Sequence, residues 1–171
     1  MSQLACTLRN LFKTPMFQLT MTGEYAVRAM LHIAALPPDT IAAIADISRA
    51  WEVPETFLRK IVGKLARGGL LTTHRGNGGG IALSRPSREI TLLDVLRVTE
   101  GPMALNACLT AAGACHRTPW CPVHPVWCEA QEKLREVLSS RTLEDLAQHV
   151  PSGSCPAARQ AGGLTADHYS I

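Results

Sequence analysis

No stretch of this sequence approaches the ~18 consecutive apolar residues of a membrane span, and its opening residues lack the apolar block and small-residue cleavage site of a secretory signal. The expectation is a cytoplasmic protein. In that reducing compartment the six cysteines are not a disulfide frame, so clustered ones point to metal binding or redox chemistry. There is no P-loop, no nucleotide-binding glycine fingerprint and no nucleophile-base motif, and the chain is therefore not read as an enzyme. No internal repeat or low-complexity run is present, which excludes a solenoid. At 171 residues the chain has room for one ordinary domain with an appendage.

One further absence is local. Between Thr56 and Arg88 there is no Asp or Glu, while Arg59, Lys60, Lys64, Arg67, Arg75, Arg85 and Arg88 all fall in that stretch. The net charge of +3 is modest, but this block is the footprint expected of a surface that meets a polyanion. Residues 101–171 carry five basic and six acidic residues and offer no comparable attraction.

The pattern of apolar residues supplies the architecture. From Thr22 to Ala34 the chain is apolar on nearly every face, with Glu24, Arg28 and His32 as one polar stripe at four-residue spacing, and Pro37-Pro38 stops it. A short helix over about Ala43–Trp51 precedes Pro54, which suits the first turn of a third helix running to about Arg67. In that helix Phe57, Leu58, Ile61, Val62 and Leu65 recur at threes and fours, leaving Thr56, Arg59, Lys60, Lys64 and Arg67 on the other side. Leu70–Arg75 and Ile81–Ser84 flank a glycine-rich tip and read as a hairpin, so that helix-turn-helix and hairpin together make a winged helix. Thr91 caps a helix to about Thr99, and Gly101-Pro102 ends it.

From Pro122 a long helix carries Val123, Trp127, Ala130, Leu134, Val137 and Leu138 on one seam. No other segment of similar length is free to cover that seam, which implies the same helix of a second subunit, with the first helix filling in beside it. A short helix over Thr142–Val150 follows. The expected organisation is mainly α with a small β-wing: a disordered arm (1–17), a winged helix-turn-helix domain (18–101), a cysteine loop (102–122), a dimerisation helix with a final short helix (123–150), and a disordered tail (151–171).

Two sets of residues carry chemistry. Thr56, Arg59 and Lys60 near the start of the third helix are candidates for base edges in the major groove, with Lys64 beside them. Arg75, Gly76 and Gly78 stand at the wing, where glycine lets the backbone approach a phosphate or an arginine enter the minor groove. The second set is Cys108, Cys115 and Cys121, separated by six and then five residues in an open loop. Structural zinc sites usually contain a cysteine pair two to four residues apart, and no such knuckle occurs here. Wide spacing suits an iron-sulfur cluster, whose three thiolates leave a fourth position for another ligand. His124, Cys128 and Glu24 are the candidates for it; Cys6 and Cys155 are read as incidental.

These residues resemble the Rrf2 family of winged-helix regulators over about Gln18–Gln148. The matching stretches are Gln18-Leu-Thr, Glu24-Tyr-Ala-Val-Arg-Ala29, Ala45-Asp-Ile-Ser48, Leu70, Arg75-Gly76, Gly78-Gly-Gly80, and the three-cysteine loop ending Cys121-Pro-Val-His124. The resemblance implies a homodimer with crossed long helices, a palindromic DNA operator, and a 2Fe-2S or 4Fe-4S cluster whose state changes DNA affinity. By position, Cys108, Cys115 and Cys121 match the family's three ligands. His124 matches the fourth ligand of IscR-like members, and Glu24 an acidic ligand that NsrR-like members supply from the partner subunit. Arg75 matches the wing arginine, whereas Arg59 stands where IscR-like members carry an acidic residue that tunes operator choice. The functional expectation is a DNA-binding transcriptional regulator, acting as a repressor, that senses redox, iron or nitric oxide status through the cluster. The alternative is a cluster-free thiol or zinc-dependent regulator of the same fold.

Overall fold

The computed structural model describes residues 19–76 and 79–150. The expected arm and tail, Gly78, Cys6 and Cys155 lie outside the described residues. Among the described residues six α-helices and a two-stranded hairpin follow in the order α1 (Met21–Ala34), α2 (Ile44–Trp51), α3 (Glu55–Arg67), β1 (Leu71–His74), β2 (Gly80–Leu83), α4 (Leu92–Glu100), α5 (His124–Ser139) and α6 (Leu143–Ala147). The mainly α architecture with a small β-wing is as the apolar pattern predicts.

Helix α1 starts because Thr20 caps it, its hydroxyl accepting from the Thr22 and Gly23 amides. Ala26, Ala29, Met30 and Ile33 go into the core, where α1 meets α2, α3, α4 and α6. Helix α2 ends in a left-handed residue, Glu52 (φ 54°), and the Ser48 hydroxyl donates to the Val53 carbonyl across the bend. This tight turn delivers α3, with Pro54 at the cap rather than in the first turn. Leu58, Ile61, Val62 and Leu65 of α3 are buried, which fixes its opposite face to solvent.

The wing has an added element. β1 and β2 pair antiparallel from Leu71↔Leu83 to His74↔Gly80, and Ala42, just before α2, bridges to Ile81 on the other side. The Ala42 amide donates to the Ile81 carbonyl at 2.8 Å and the Ile81 amide donates back at 2.9 Å. A Cβ at Gly80 would overlap the Ala42 carbonyl, so only glycine permits this approach. Gly80→Ala is expected to lower stability by about 1–3 kcal/mol through loss of the bridge, measured by urea unfolding; an unchanged midpoint would show that Ala42 is free to move away.

One residue of the expected polar stripe turns inward. His32 is only 6% exposed and its Nδ1 accepts from the Trp51 indole N–H at 3.2 Å. Burial lowers its pKa, with Asp46 opposing in part. The folded protein therefore binds this proton less readily than the unfolded chain. Stability is expected to be full above the unfolded value of about 6.5 and to fall as pH drops towards the lowered folded value. Melting curves between about pH 7 and 5.5 test this, and His32→Gln should flatten the slope.

The end of the chain returns to the N-terminal core. Thr142 bridges to Thr91, the Leu143 amide donates to the Ile90 carbonyl at 2.8 Å, and the Leu143 side chain is fully buried. Helix α6 thus packs on α1 inside the winged-helix unit. Helix α5 starts at His124 rather than Pro122 and packs on α4 within its own chain.

Candidate DNA-reading surface and cysteine loop

Helix α3 presents Thr56, Arg59, Lys60, Lys64 and Arg67 to solvent because its buried residues hold the other face. Glu55, one residue ahead of the acid-free block, forms an ion pair with Arg59, and the Arg59 Nε donates to its Oε1 at 3.0 Å. Both partners are exposed, and such a surface pair is worth only about 0–1 kcal/mol, little enough for a stronger acceptor to take the guanidinium. Lys60 and Thr56 stand free beside it as exposed side chains. Lys64 is different: its Nζ donates to the Thr99 carbonyl at the end of α4, at 3.1 Å.

Arg75 leaves β1 exposed, followed by Gly76 at φ 104°. The Gly79 amide donates to the Gly76 carbonyl at 2.9 Å, and a Cβ on Gly79 would lie 2.5 Å from the His74 carbonyl oxygen. Gly76 and Gly79 are thus required by the turn that follows the exposed Arg75. Arg85, part of the same basic stretch, instead faces Asp94 at 3.4 Å and donates to the Glu89 carbonyl at 3.1 Å, which marks it as structural.

The cysteine loop leaves α4 through Gly101 (φ 80°) and runs as successive turns with a 3-10 turn at Ala107–Leu109. Amide-to-carbonyl bonds from Ala114 to Ala111, Thr118 to Cys115, Trp120 to Arg117 and His124 to Cys121 shape it. It is fastened to α5 by Gln131, the one buried residue of that helix, whose Oε1 accepts from the Leu105 amide at 2.9 Å. Cys108, Cys115 and Cys121 are free thiols of intermediate exposure, and Cys128 is a free exposed one.

The structure brings together one pair of the expected ligands. On α5 the Cys128 Sγ lies 3.5 Å from the His124 Nε2, while the His124 Nδ1 is buried without a hydrogen-bond partner. Cys121 lies outside the helix, so the three do not share one helical face. Among the described residues no group of three or more His, Cys, Asp or Glu side chains is placed to hold a metal ion. The Glu24 carboxylate is engaged by Arg28 on the same helix. By donor chemistry three soft thiols and an imidazole with an unpartnered nitrogen fit an iron-sulfur cluster. In this conformation the described residues do not bring three of these ligands together.

Exposed apolar residues occur at the end of the loop and along α5: Trp120 (68% exposed), Val123, Val126 and Val137. No helix among the described residues is long and apolar enough to cross a membrane. Gln131, Glu55 and the Ala42 bridge were not anticipated from the sequence. Of these only Glu55 had a signal, its i,i+4 spacing to Arg59.

Comparison with known proteins agrees with this fold. Residues 19–149 match the family model of Rrf2, described as an iron-dependent transcriptional regulator. Protein aau3 of Rhizobium meliloti (strain 1021) is 38% identical over 135 residues, covering 78% of this chain and 87% of that protein. The structure of CymR, the global cysteine regulator of B. subtilis, superposes with a TM-score of 0.67 at 27% identity, covering 79% of this chain and 99% of that one. IscR of T. potens shares the fold, with a TM-score of 0.62 at 24% identity over 87% of this chain and 94% of its own. The chain belongs to the Rrf2 family of transcriptional regulators.

Proposed function

We propose that this chain is a cytoplasmic, homodimeric repressor that binds a palindromic DNA operator and whose affinity is set by an iron-sulfur cluster held in the loop of residues 102–122. The observation that carries the DNA reading is the exposed α3 face bearing Thr56, Arg59 and Lys60, next to a wing that projects Arg75 on required glycines. A helix of this width fits the major groove; Thr56, Arg59 and Lys60 are then placed to reach base edges while the wing holds phosphates. The second copy is supplied across α5, whose seam of Trp127, Leu134 and Leu138 is only half covered within one chain and whose Val126 and Val137 stand exposed. Two-fold pairing there would present two α3 helices to two half-sites.

Cys108, Cys115 and Cys121 would hold the cluster, with His124 as the fourth ligand on this chain and Glu24 or Cys128 in competition for that place. When bound, such a group supplies an oxidisable, nitric-oxide-reactive centre. The chain's part is to close the loop around it and to convert that closure into a changed spacing of the α3 helices, a two-state equilibrium that needs only about 1–3 kcal/mol of coupling.

Selection of binding sequences from a random duplex pool tests the DNA reading. The expected result is a two-fold symmetric site bound by a dimer; recovery of no sequence preference would overturn it. One observation favours a second reading, a cluster-free thiol or zinc-dependent regulator: of the expected ligands among the described residues, only Cys128 and His124 meet in this conformation. Zinc without acid-labile sulfide in protein purified without oxygen would select that reading.

A further inference from the structure

The last turn of α4 is where the recognition helix, the first helix and the cysteine loop come together. Lys64 reaches from α3 to the Thr99 carbonyl at 3.1 Å. Close by, a Cβ at Gly68, the residue that ends α3, would lie 2.6 Å from both γ-carbons of Val98, so the end of α3 sits directly on α4. From the other side the Thr20 hydroxyl donates to the Glu100 carboxylate at 2.7 Å, and a Cβ at Gly23 would overlap that carboxylate. The next residue, Gly101, turns with φ 80° into the cysteine loop.

Three consecutive residues, Val98, Thr99 and Glu100, therefore touch α3 and α1, and the loop begins one bond later. A backbone packed this closely does not absorb a displacement; it passes it on. Lys64 is the polar member of the contact with α3, and its ammonium sits where the unsatisfied carbonyls at a helix C-terminus favour a cation. A lysine engaged in this way is directed along the protein rather than out to a phosphate.

We propose that Lys64 is a positioning residue, not a DNA contact: through the Thr99 carbonyl it ties the recognition helix to the origin of the cysteine loop and transmits the state of the loop to DNA affinity. This rests on the proposed function, in that it takes the loop as the sensor. Glu100, held by Thr20, is the anchor on the other side of the same turn. The strut works equally for any ligand state that moves the loop origin.

The test uses the full-length dimer, loaded with iron and sulfide or stripped of both, on its selected operator at two or more salt concentrations. In the unsubstituted protein the two forms should differ in affinity; equal affinities would overturn the sensing reading itself, a failure visible before any variant is made. Lys64→Met, which keeps the stem and removes the donor, should reduce the loaded-to-stripped affinity ratio by about fivefold and leave the salt dependence of binding unchanged. Lys64→Arg should restore the ratio. Glu100→Ala, on a residue with no place on the α3 face, should lower the ratio in the same way and covers the case of a poorly folded Lys64 variant. If Lys64→Met weakens both forms by the same factor and cuts the salt slope by about one, Lys64 is a phosphate contact and the proposal fails. An unaltered ratio in both variants overturns it as well.

Discussion

Cys115→Ala is expected to yield a colourless protein: if the proposed cluster is held by this loop, iron and acid-labile sulfide should fall to background and DNA affinity should become that of the stripped form. The expectation is all-or-none because Cys115 is the middle of three thiols spaced along one loop, and two thiolates with an imidazole do not complete the donor set that the cluster takes. The fold should be indifferent to the change. Cys115 is only partly buried and lies in a run of turns held by main-chain bonds, away from the core, so the midpoint of denaturant unfolding should shift by less than about 1 kcal/mol of stability. That separation makes the result readable, since a bleached, folded protein has lost a ligand and not its structure. A variant that keeps both its visible absorbance and its state-dependent DNA affinity would remove Cys115 from the site.

The second large effect is on DNA. Arg59→Ala should weaken binding to the selected operator by roughly 5- to 150-fold, the equivalent of losing one bidentate contact to a base. The loss should be accompanied by relaxed preference at one position in each half-site. Arg59 is placed for this by the burial of Leu58, Ile61, Val62 and Leu65, which turns the guanidinium outwards near the start of α3, and its hold on Glu55 is a surface pair that a guanine edge can displace. Binding assays on the operator and on variants changed at single positions check it. Equal weakening on every sequence would assign Arg59 to the phosphate backbone, and the base reading would pass to Thr56 and Lys60.

What could be read from the sequence follows periodicity and punctuation. The buried face of α3, the Thr91 cap of α4, the glycine-framed hairpin and the bounds of α5 each repeat or mark a boundary, and the structure places them within about two residues of expectation. Features that depend on one residue had no such signal. Ala42 joins the wing through a single bridge, and no pattern announces a strand of that length. Leu143 looks like any residue of a short terminal helix until the chain is seen to fold back and bury it. His32 shares the four-residue spacing of Glu24 and Arg28, yet the Trp51 N–H needs an acceptor, and that need turns the imidazole inwards.

The candidate site divides in the same way. The basic face of α3 is as legible as the helix itself, because burial of one side exposes the other. Lys64 shows the limit of this reasoning: it stands on the expected face but spends its charge on the Thr99 carbonyl. The cysteines are legible as a set by spacing, but spacing does not say where the loop puts them. The course of the loop is set by turns and by the Gln131 anchor rather than by any period.

The most direct measurement is the ultraviolet-visible spectrum with iron and sulfide analysis on protein purified without oxygen, followed by operator affinity before and after the cluster is removed. A brown dimer with equal iron and acid-labile sulfide, whose affinity for the operator changes at least about fivefold on removal, is the predicted result. A colourless protein, or one whose affinity is the same with and without iron and sulfide, would contradict it and leave a winged-helix regulator controlled by other means.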